Sequence, residues 1–180
     1  MQWLNPPPAW RTEGERLFVT TGDKTDFWRI THYGFIRDNG HFYHQPCPGD
    51  AAAEVTVRGD YRILYDQAGL MIRADAENWI KAGVEFTEGI AHLSVVVTRG
   101  HSDWSVVAMP EATAGVRVRL VRRGGTVEVS FAMPGREWQM ARLAPFPEGP
   151  ASIGLMCCSP ERAAFEAEFE GLRFREVAAS

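Results

Sequence analysis

The sequence predicts an all-β protein, a two-sheet antiparallel β-sandwich of the jelly-roll type with a concanavalin A-like fold. Short segments in which apolar and polar residues alternate recur along the chain. Turn signals separate these segments about every ten residues, and helical periodicity is almost absent. We therefore expect ten or more short strands and at most one or two short helices.

The clearest strand covers residues 78–86, which read NWIKAGVEF and alternate strictly. Successive side chains of a strand point to opposite faces, so one face is apolar and the other carries Trp79, Lys81 and Glu85. Residues 65–73 repeat the pattern, and the short polar link after them predicts an antiparallel hairpin. We expect one core to bury the apolar residues of three strands, namely Leu70, Ile72, Ile80, Val84, Val95 and Val97.

Other segments of the chain are also predicted to be strands. Arg122-Arg123-Gly124-Gly125 is the strongest hairpin signal, flanked by alternating segments on both sides. Residues 164–177 contain Phe-x-Ala-x-Phe, which has period two and predicts a strand pair broken at Gly171. Residues 1–12 form a proline-rich N-terminal arm, because three consecutive prolines cannot donate hydrogen bonds within a central strand.

Length and composition restrict the class of protein. At 180 residues the chain suits a single domain spanning residues 1–180, and its net charge of −4 argues against a nucleic-acid partner. No apolar run reaches the roughly 18 residues needed to cross a membrane, and the N-terminus does not resemble a signal peptide. The three cysteines do not form a disulfide pattern, so we expect a cytoplasmic protein.

The polar face of the predicted hairpin is the candidate binding surface. Cross-strand neighbours share a face, so Tyr65, Gln67, Trp79, Lys81 and Glu85 are expected to form one partly exposed cleft. A tryptophan beside Gln, Lys and Glu is typical of surfaces that stack on and hydrogen-bond a polar ring such as a sugar. We also expect two glycines, at positions 69 and 83, to lower the floor of the cleft. Alanine at Trp79 or Lys81 should then change the free energy of unfolding by about 1 kcal/mol or less.

Motifs for catalysis, metals and cofactors are weak. Glu85 has no acidic residue two positions away on its strand, and the chain has no nucleophile elbow and no phosphate-binding loop. His41, His44 and Cys47 lie at short spacing, but alternation points His41 and His44 to opposite faces and no second ligand pair follows. We therefore expect no metal and no cofactor, and Glu85 is the catalytic candidate if the protein is an enzyme.

Several longer motifs, in this order, resemble the DUF1349 family. They are Asp26-Phe27-Trp28-Arg29, Tyr33-Gly34-Phe35, Asp38-Asn39-Gly40-His41, the run from Tyr65 to Met71, the run from Asn78 to Glu85, and Ser102-Asp103-Trp104-Ser105. The resemblance implies a concanavalin A-like lectin/glucanase jelly roll and brings no established activity. It also implies functional positions, which are Asp26, Trp28, Arg29, Tyr65, Gln67, Trp79, Lys81, Glu85, Asp103, Trp104 and Ser105.

These observations favour a binding protein whose concave sheet face takes a carbohydrate or a related polar metabolite, with a regulatory role in sugar metabolism. The candidate ligand-binding residues are Tyr65, Gln67, Trp79, Lys81, Glu85, Trp104, Asp103, Trp28 and Arg29. Two alternatives stay open. One is a carbohydrate-active hydrolase that uses Glu85 as acid or base. The other is a protein-interaction module that acts on a metabolic enzyme.

Overall fold

The structure is a computed structural model that describes residues 1–110 and 112–177. These residues form sixteen strands and one short 3₁₀ turn, Ala112–Ala114. The first eight strands are β1 (Gln2–Leu4), β2 (Ala9–Glu13), β3 (Arg16–Thr20), β4 (Phe27–Arg29), β5 (Ile36–Asp38), β6 (His41–Cys47), β7 (Ala51–Gly59) and β8 (Gln67–Arg73). The others are β9 (Asn78–Thr87), β10 (Ile90–Arg99), β11 (His101–Ala108), β12 (Val116–Arg123), β13 (Thr126–Ala132), β14 (Gln139–Pro145), β15 (Ala151–Cys158) and β16 (Glu166–Glu176).

The strands form two antiparallel sheets of seven strands and one small hairpin. Sheet A has the order β1-β6-β15-β8-β9-β10-β11, and sheet B has the order β14-β13-β12-β7-β16-β3-β2. Within the part of the chain that the structure describes, strands β4 and β5 pair only with each other. The predicted all-β, two-sheet antiparallel fold is confirmed. No helix among the described residues is long and apolar enough to be a membrane span.

The alternation in β8 and β9 sets the register at the centre of sheet A. Gln67 pairs with Glu85, Leu70 with Ala82 and Ile72 with Ile80, as the predicted hairpin requires. The apolar side chains point toward sheet B. There they join a large buried cluster that contains all six predicted core residues: Leu70, Ile72, Ile80, Val84, Val95 and Val97. The predicted core is therefore confirmed.

A second apolar cluster lies on the opposite face of sheet A. It consists of Phe27, Trp28, Phe42, Met71, Trp79, Val96, Met156 and Cys158. Strand β4 supplies Phe27 and Trp28, and these two rings cover the face that alternation assigns to solvent. Strand β9 is therefore buried on both sides, and Trp79 is only 1% exposed. The expectation that Trp79 lies in an open cleft is wrong, because a segment more than forty residues earlier in the chain packs over it.

Two other expectations also need correction. Gly69 and Gly83 face each other across β8 and β9, and a Cβ atom on either would overlap the carbonyl oxygen of the other strand. Close strand approach therefore explains these glycines, and room for a ligand does not. At the C-terminus, β16 is one strand in place of the predicted pair. Its register shifts between Glu170 and Arg173, where Gly171 adopts a φ of 66°.

The N-terminal arm forms two edge strands. β1 pairs with β6 at the edge of sheet A, and β2 pairs with β3 at the edge of sheet B. The prolines at positions 6–8 lie between these strands. Because this link is not part of a sheet, the N–H groups that proline lacks are not needed for hydrogen bonds between strands. The predicted exclusion of this arm from a central strand is confirmed.

The burial of Trp79 predicts that Trp79→Ala is strongly destabilising. Removal of a fully buried tryptophan should lower the free energy of unfolding by about 3–5 kcal/mol, measured by urea denaturation. Trp10 is the matched control because it is 47% exposed, and Trp10→Ala should cost about 1 kcal/mol or less. Equal losses for the two variants would contradict the assignment of Trp79 to the second cluster.

Close approach of β8 and β9 predicts that Gly83→Ala destabilises the protein, since the added methyl group meets backbone that cannot rotate away. We expect a loss of at least about 2 kcal/mol by the same measurement. Gly49→Ala is the control, because no atom of the described residues, apart from Gly49 and its two chain neighbours, lies within 4 Å of a Cβ built there, and its φ is not positive. A Gly83→Ala protein as stable as Gly49→Ala would show that the strands are farther apart than described.

Candidate functional site

A cavity of about 90 Å³ opens on the face of sheet A that points away from sheet B. Its floor comes from β8, β9, β10 and β11, and its walls come from the β4–β5 segment and from residues 65 and 160–161. The lining residues are Asp26, Trp28, Tyr33, Phe35, Arg37, Tyr65, Gln67, Lys81, Glu85, Val96, Trp104, Pro160 and Glu161.

Six of the nine candidate ligand-binding residues line this one cavity. They are Trp28, Tyr65, Gln67, Lys81, Glu85 and Trp104. The strand alternation brings Gln67, Lys81 and Glu85 to the floor, because Gln67 and Glu85 are cross-strand partners and Lys81 lies on the same face of β9. Trp104 joins them from β11, which pairs with β10. Whether these residues bind a ligand stays a prediction.

The other three candidates lie outside the cavity. Trp79 is buried in the second cluster. Arg29 holds two loops together, because it donates to the Gly100 carbonyl at 3.0 Å and pairs with Glu77 at 2.7 Å. Asp103 pairs with Val97 across the sheet, so its side chain lies on the same face of sheet A as the core residues, on the edge strand β11. There it forms a 2.8 Å ion pair with Arg142.

Lys81 forms a buried ion pair at the floor of the cavity. Its Nζ lies 3.1 Å from Asp26 Oδ1 and donates to the Phe27 carbonyl at 2.7 Å. Burial is the largest single influence on the pKa of Lys81 and lowers it, but the charge and hydrogen bond of Asp26, together with the other acidic groups nearby such as Glu85, outweigh burial, and the pKa is raised. Because Lys81 is 4% exposed, truncation would leave the Asp26 carboxylate buried without its cation, which typically costs several kcal/mol. We therefore expect Lys81→Ala to lower the free energy of unfolding by more than the change of about 1 kcal/mol or less that alternation alone predicts.

Glu85 is the second buried charge at the floor. Its Oε2 accepts a hydrogen bond from Trp104 Nε1 at 2.9 Å, and the same indole N–H lies 3.1 Å from Ser94 Oγ. Burial raises the pKa of Glu85, while the Lys81 charge opposes that shift without cancelling it. Trp104 thus orients the carboxyl group, and burial makes its ionised form costly when no partner is present. A ligand that donates a hydrogen bond to this group or places a positive charge beside it would offset that cost.

Tyr33 and Tyr65 close the outer side of the cavity. Their hydroxyl groups form a 2.6 Å hydrogen bond between two loops that are 32 residues apart in sequence. Burial and this hydrogen bond raise the pKa of Tyr65. Tyr65 has a φ of 66°, which is uncommon for a residue with a side chain, and its N–H donates to the Phe86 carbonyl at 2.7 Å.

Five lining residues appear neither among the predicted site positions nor on the alternating strands, namely Tyr33, Phe35, Arg37, Pro160 and Glu161. They lie outside regular strands or on the short strand β5, so period-two patterns carry no information about them. Asp26 was indicated only through the family motif. The Tyr33-Gly34-Phe35 motif was the one signal that could have placed two of the five.

Metal binding has no support among the described residues, where no three His, Cys, Asp or Glu side chains cluster as ligands. His41 is held by backbone groups. The Gly22 N–H donates to its Nε2 at 2.9 Å, so its Nδ1 carries the proton that it shares with the Asn5 carbonyl at 2.7 Å. Both ring nitrogens are therefore occupied by structural partners.

The raised pKa of Glu85 predicts a pH-dependent stability difference between the protein and Glu85→Gln. Above the ordinary value of 4.5 the folded state holds the Glu85 proton more tightly than the unfolded state does. The unfolding free energy of the unsubstituted protein should therefore fall, relative to Glu85→Gln, as the pH rises from about 4.5 toward neutrality. Denaturation curves of both proteins across this range measure the difference. If the unfolding free energy of the unsubstituted protein stays constant or rises relative to that of Glu85→Gln over this pH range, the raised pKa is contradicted.

Comparison with known proteins adds a family and a fold. A 40% identical relative, Regulation of enolase protein 1 from Saccharomyces cerevisiae, aligns over 168 residues, which is 93% of this chain and 85% of the relative. A crystal structure of a functionally unknown protein from Saccharomyces cerevisiae superposes with a TM-score of 0.94 at 37% identity, covering 99% of this chain and 97% of that one.

A more distant structure shares the fold alone. A variant of the GH43 protein BlXynB from Bacillus licheniformis superposes with a TM-score of 0.73 at 18% identity, covering 97% of this chain and 37% of that chain. The family described as a protein of unknown function, DUF1349, matches residues 3–177. With nearly the whole chain matched, this protein belongs to the DUF1349 family.

Proposed function

We propose that this protein binds a small polar ligand, a sugar or a related metabolite, in the cavity on sheet A. One observation carries the proposal. Aromatic rings and hydrogen-bonding groups converge on a single recess whose charged floor is already fixed by protein contacts. Ring faces stack on a sugar ring, while Gln67 and Glu85 offer the polar contacts that orient its hydroxyl groups.

The size of the recess limits the ligand. About 90 Å³ has room for several water molecules, so one end of a single ring fits inside and the other end stays in solvent. A long polysaccharide would need an open groove. The proposal is therefore a metabolite-sized ligand.

The proposed role, partner and location of the protein are supported by the name of a relative and by the state of the cysteines. One relative carries the name Regulation of enolase protein 1, which supports a regulatory role in sugar metabolism and a metabolic enzyme as protein partner. Cys47, Cys157 and Cys158 are buried free thiols, which supports a reducing, cytoplasmic location.

A second candidate is hydrolysis of a glycoside with Glu85 as acid or base. The observation in its favour is that three carboxylates, those of Asp26, Glu85 and Glu161, line the same cavity. Glycosidases need two carboxyl groups on either side of the scissile bond. Of the three, Asp26 is already neutralised by Lys81. Release of nitrophenol from nitrophenyl glycosides, lost in Glu85→Gln, would favour this candidate over binding alone.

The binding proposal predicts that Trp104→Leu loses ligand affinity. A panel of neutral sugars, amino sugars, sugar acids and sugar phosphates is titrated by calorimetry, and the tightest binder is carried to the variants. The Trp104 ring lines the cavity and orients Glu85, so we expect its loss to weaken binding by about thirtyfold.

Trp138→Leu is the matched control. This half-buried tryptophan packs against Arg117 and Arg119 on sheet B, away from the cavity. Its replacement should leave the dissociation constant within about twofold. Equal losses in both variants, or no binding by any member of the panel, would contradict the proposal.

A further inference from the structure

Four aromatic rings form a closed ring of neighbours around the cavity. Trp28 neighbours Tyr33, Tyr33 neighbours Tyr65, Tyr65 neighbours Trp104, and Trp104 neighbours Trp28. The four centroid separations lie between 5.6 and 6.5 Å, and the four interplanar angles lie between 70° and 88°. All four rings also line the same cavity. A closed cycle of nearly perpendicular neighbours around one cavity is the arrangement that the four walls of a box would have.

The dimensions of this box suit a cation. For perpendicular adjacent walls, the centre lies at the centroid separation divided by √2 from each ring, which is about 4.0–4.6 Å. A positive charge within about 6 Å of a ring centroid is attracted by the negative face of the ring. A cation at the centre would be within that distance of all four rings.

The charges around the box also favour a cation. Asp26 neutralises Lys81 at the floor, and Glu85 is then the floor carboxylate that has no ion pair with any residue the structure describes. Glu161 stands at the rim, and it has no ion pair among the described residues. Arg37, the remaining cation of the lining, turns toward Phe35, with its guanidinium 4.9 Å from that ring.

Access to the box is through its outer walls. Trp28 is buried and closes the inner end, whereas Tyr33 is 41% exposed. The hydrogen bond between the hydroxyl groups of Tyr33 and Tyr65 fixes the two outer rings relative to each other, with their planes at 74°. Rings that served only to pack a core would have no reason to surround an open recess.

We propose that the aromatic box of Trp28, Tyr33, Tyr65 and Trp104 receives an ammonium group carried by a small polar ligand, with Glu85 as its counter-charge. The inference rests on the proposed function and names the chemical class of the ligand. Methylated ammonium compounds such as choline and amino sugars such as glucosamine are two of the kinds of small polar metabolite that carry such a group.

Two pairs of probes, each a cation and its uncharged counterpart, test the inference. Choline is compared with 3,3-dimethylbutan-1-ol, which has the same shape without the charge, and glucosamine is compared with glucose. Isothermal titration calorimetry is run at constant ionic strength. We expect the charged member of at least one pair to bind tenfold or more tightly than its neutral partner. A charge preference in the choline pair would indicate a ligand with a methylated ammonium group, and a charge preference in the glucosamine pair would indicate a ligand with a primary ammonium group on a sugar ring.

Variants then distinguish binding of the cation by the aromatic box from an effect of these side chains on packing alone. Tyr33→Phe keeps the ring and should retain most of the charge preference, whereas Tyr33→Leu should lose it while melting at a similar temperature, because Tyr33 is exposed. Glu85→Gln keeps the acceptor for the Trp104 N–H and should reduce the affinity of the cation without changing that of the neutral partner.

The outcomes distinguish this inference from the proposed function. Neutral members that bind as tightly as charged ones in both pairs, or a charge preference that survives Tyr33→Leu, would overturn the ammonium box. If no probe of either pair binds but another member of the sugar panel does, the proposal that the box binds an ammonium group is wrong and the proposed function stands. If nothing binds at all, both are wrong.

Discussion

The buried amine of Lys81 is the constraint on which the cavity depends. A charged amine cannot stay in an apolar site without partners, and both of its partners, the Asp26 carboxylate and the Phe27 carbonyl, come from the segment that crosses over sheet A. The ion pair therefore ties this segment to the centre of the sheet. That attachment brings Phe27 and Trp28 onto the second cluster and leaves the recess beside them.

The same attachment divides the outer face of sheet A into two regions. Toward one end of β9, Trp79 is sealed beneath Phe27, with the two ring centroids 6.2 Å apart. Toward the other end, Glu85 faces the recess and is held by Trp104. Lys81 lies between these regions, with its Nζ 5.7 Å from the Trp79 ring and its partner Asp26 in the cavity wall. One strand thus supplies both a stability element and a candidate binding element.

The sequence was sufficient to predict the central strands of sheet A and about half of the residues that line the cavity. Period-two alternation identified β8 and β9, their antiparallel pairing and the six core residues, because these features depend on local order along the chain. Alternation also placed Gln67, Lys81 and Glu85 on one face. It could not show what covers that face, since Phe27 and Tyr33 reach it from a distant loop with little regular structure. For that reason Trp79 was assigned to a cleft that the structure fills.

The most direct test of the account is a two-dimensional ¹H–¹⁵N spectrum of the indole N–H groups during titration with choline and with glucosamine. The chain has six tryptophans, and each contributes one indole signal. If the cavity on sheet A is the binding site, the signals of Trp28 and Trp104 should move with ligand concentration, while those of Trp10 and Trp138 stay fixed. Movement confined to Trp10 or Trp138, with Trp28 and Trp104 unchanged, would place binding elsewhere on the molecule and contradict the account.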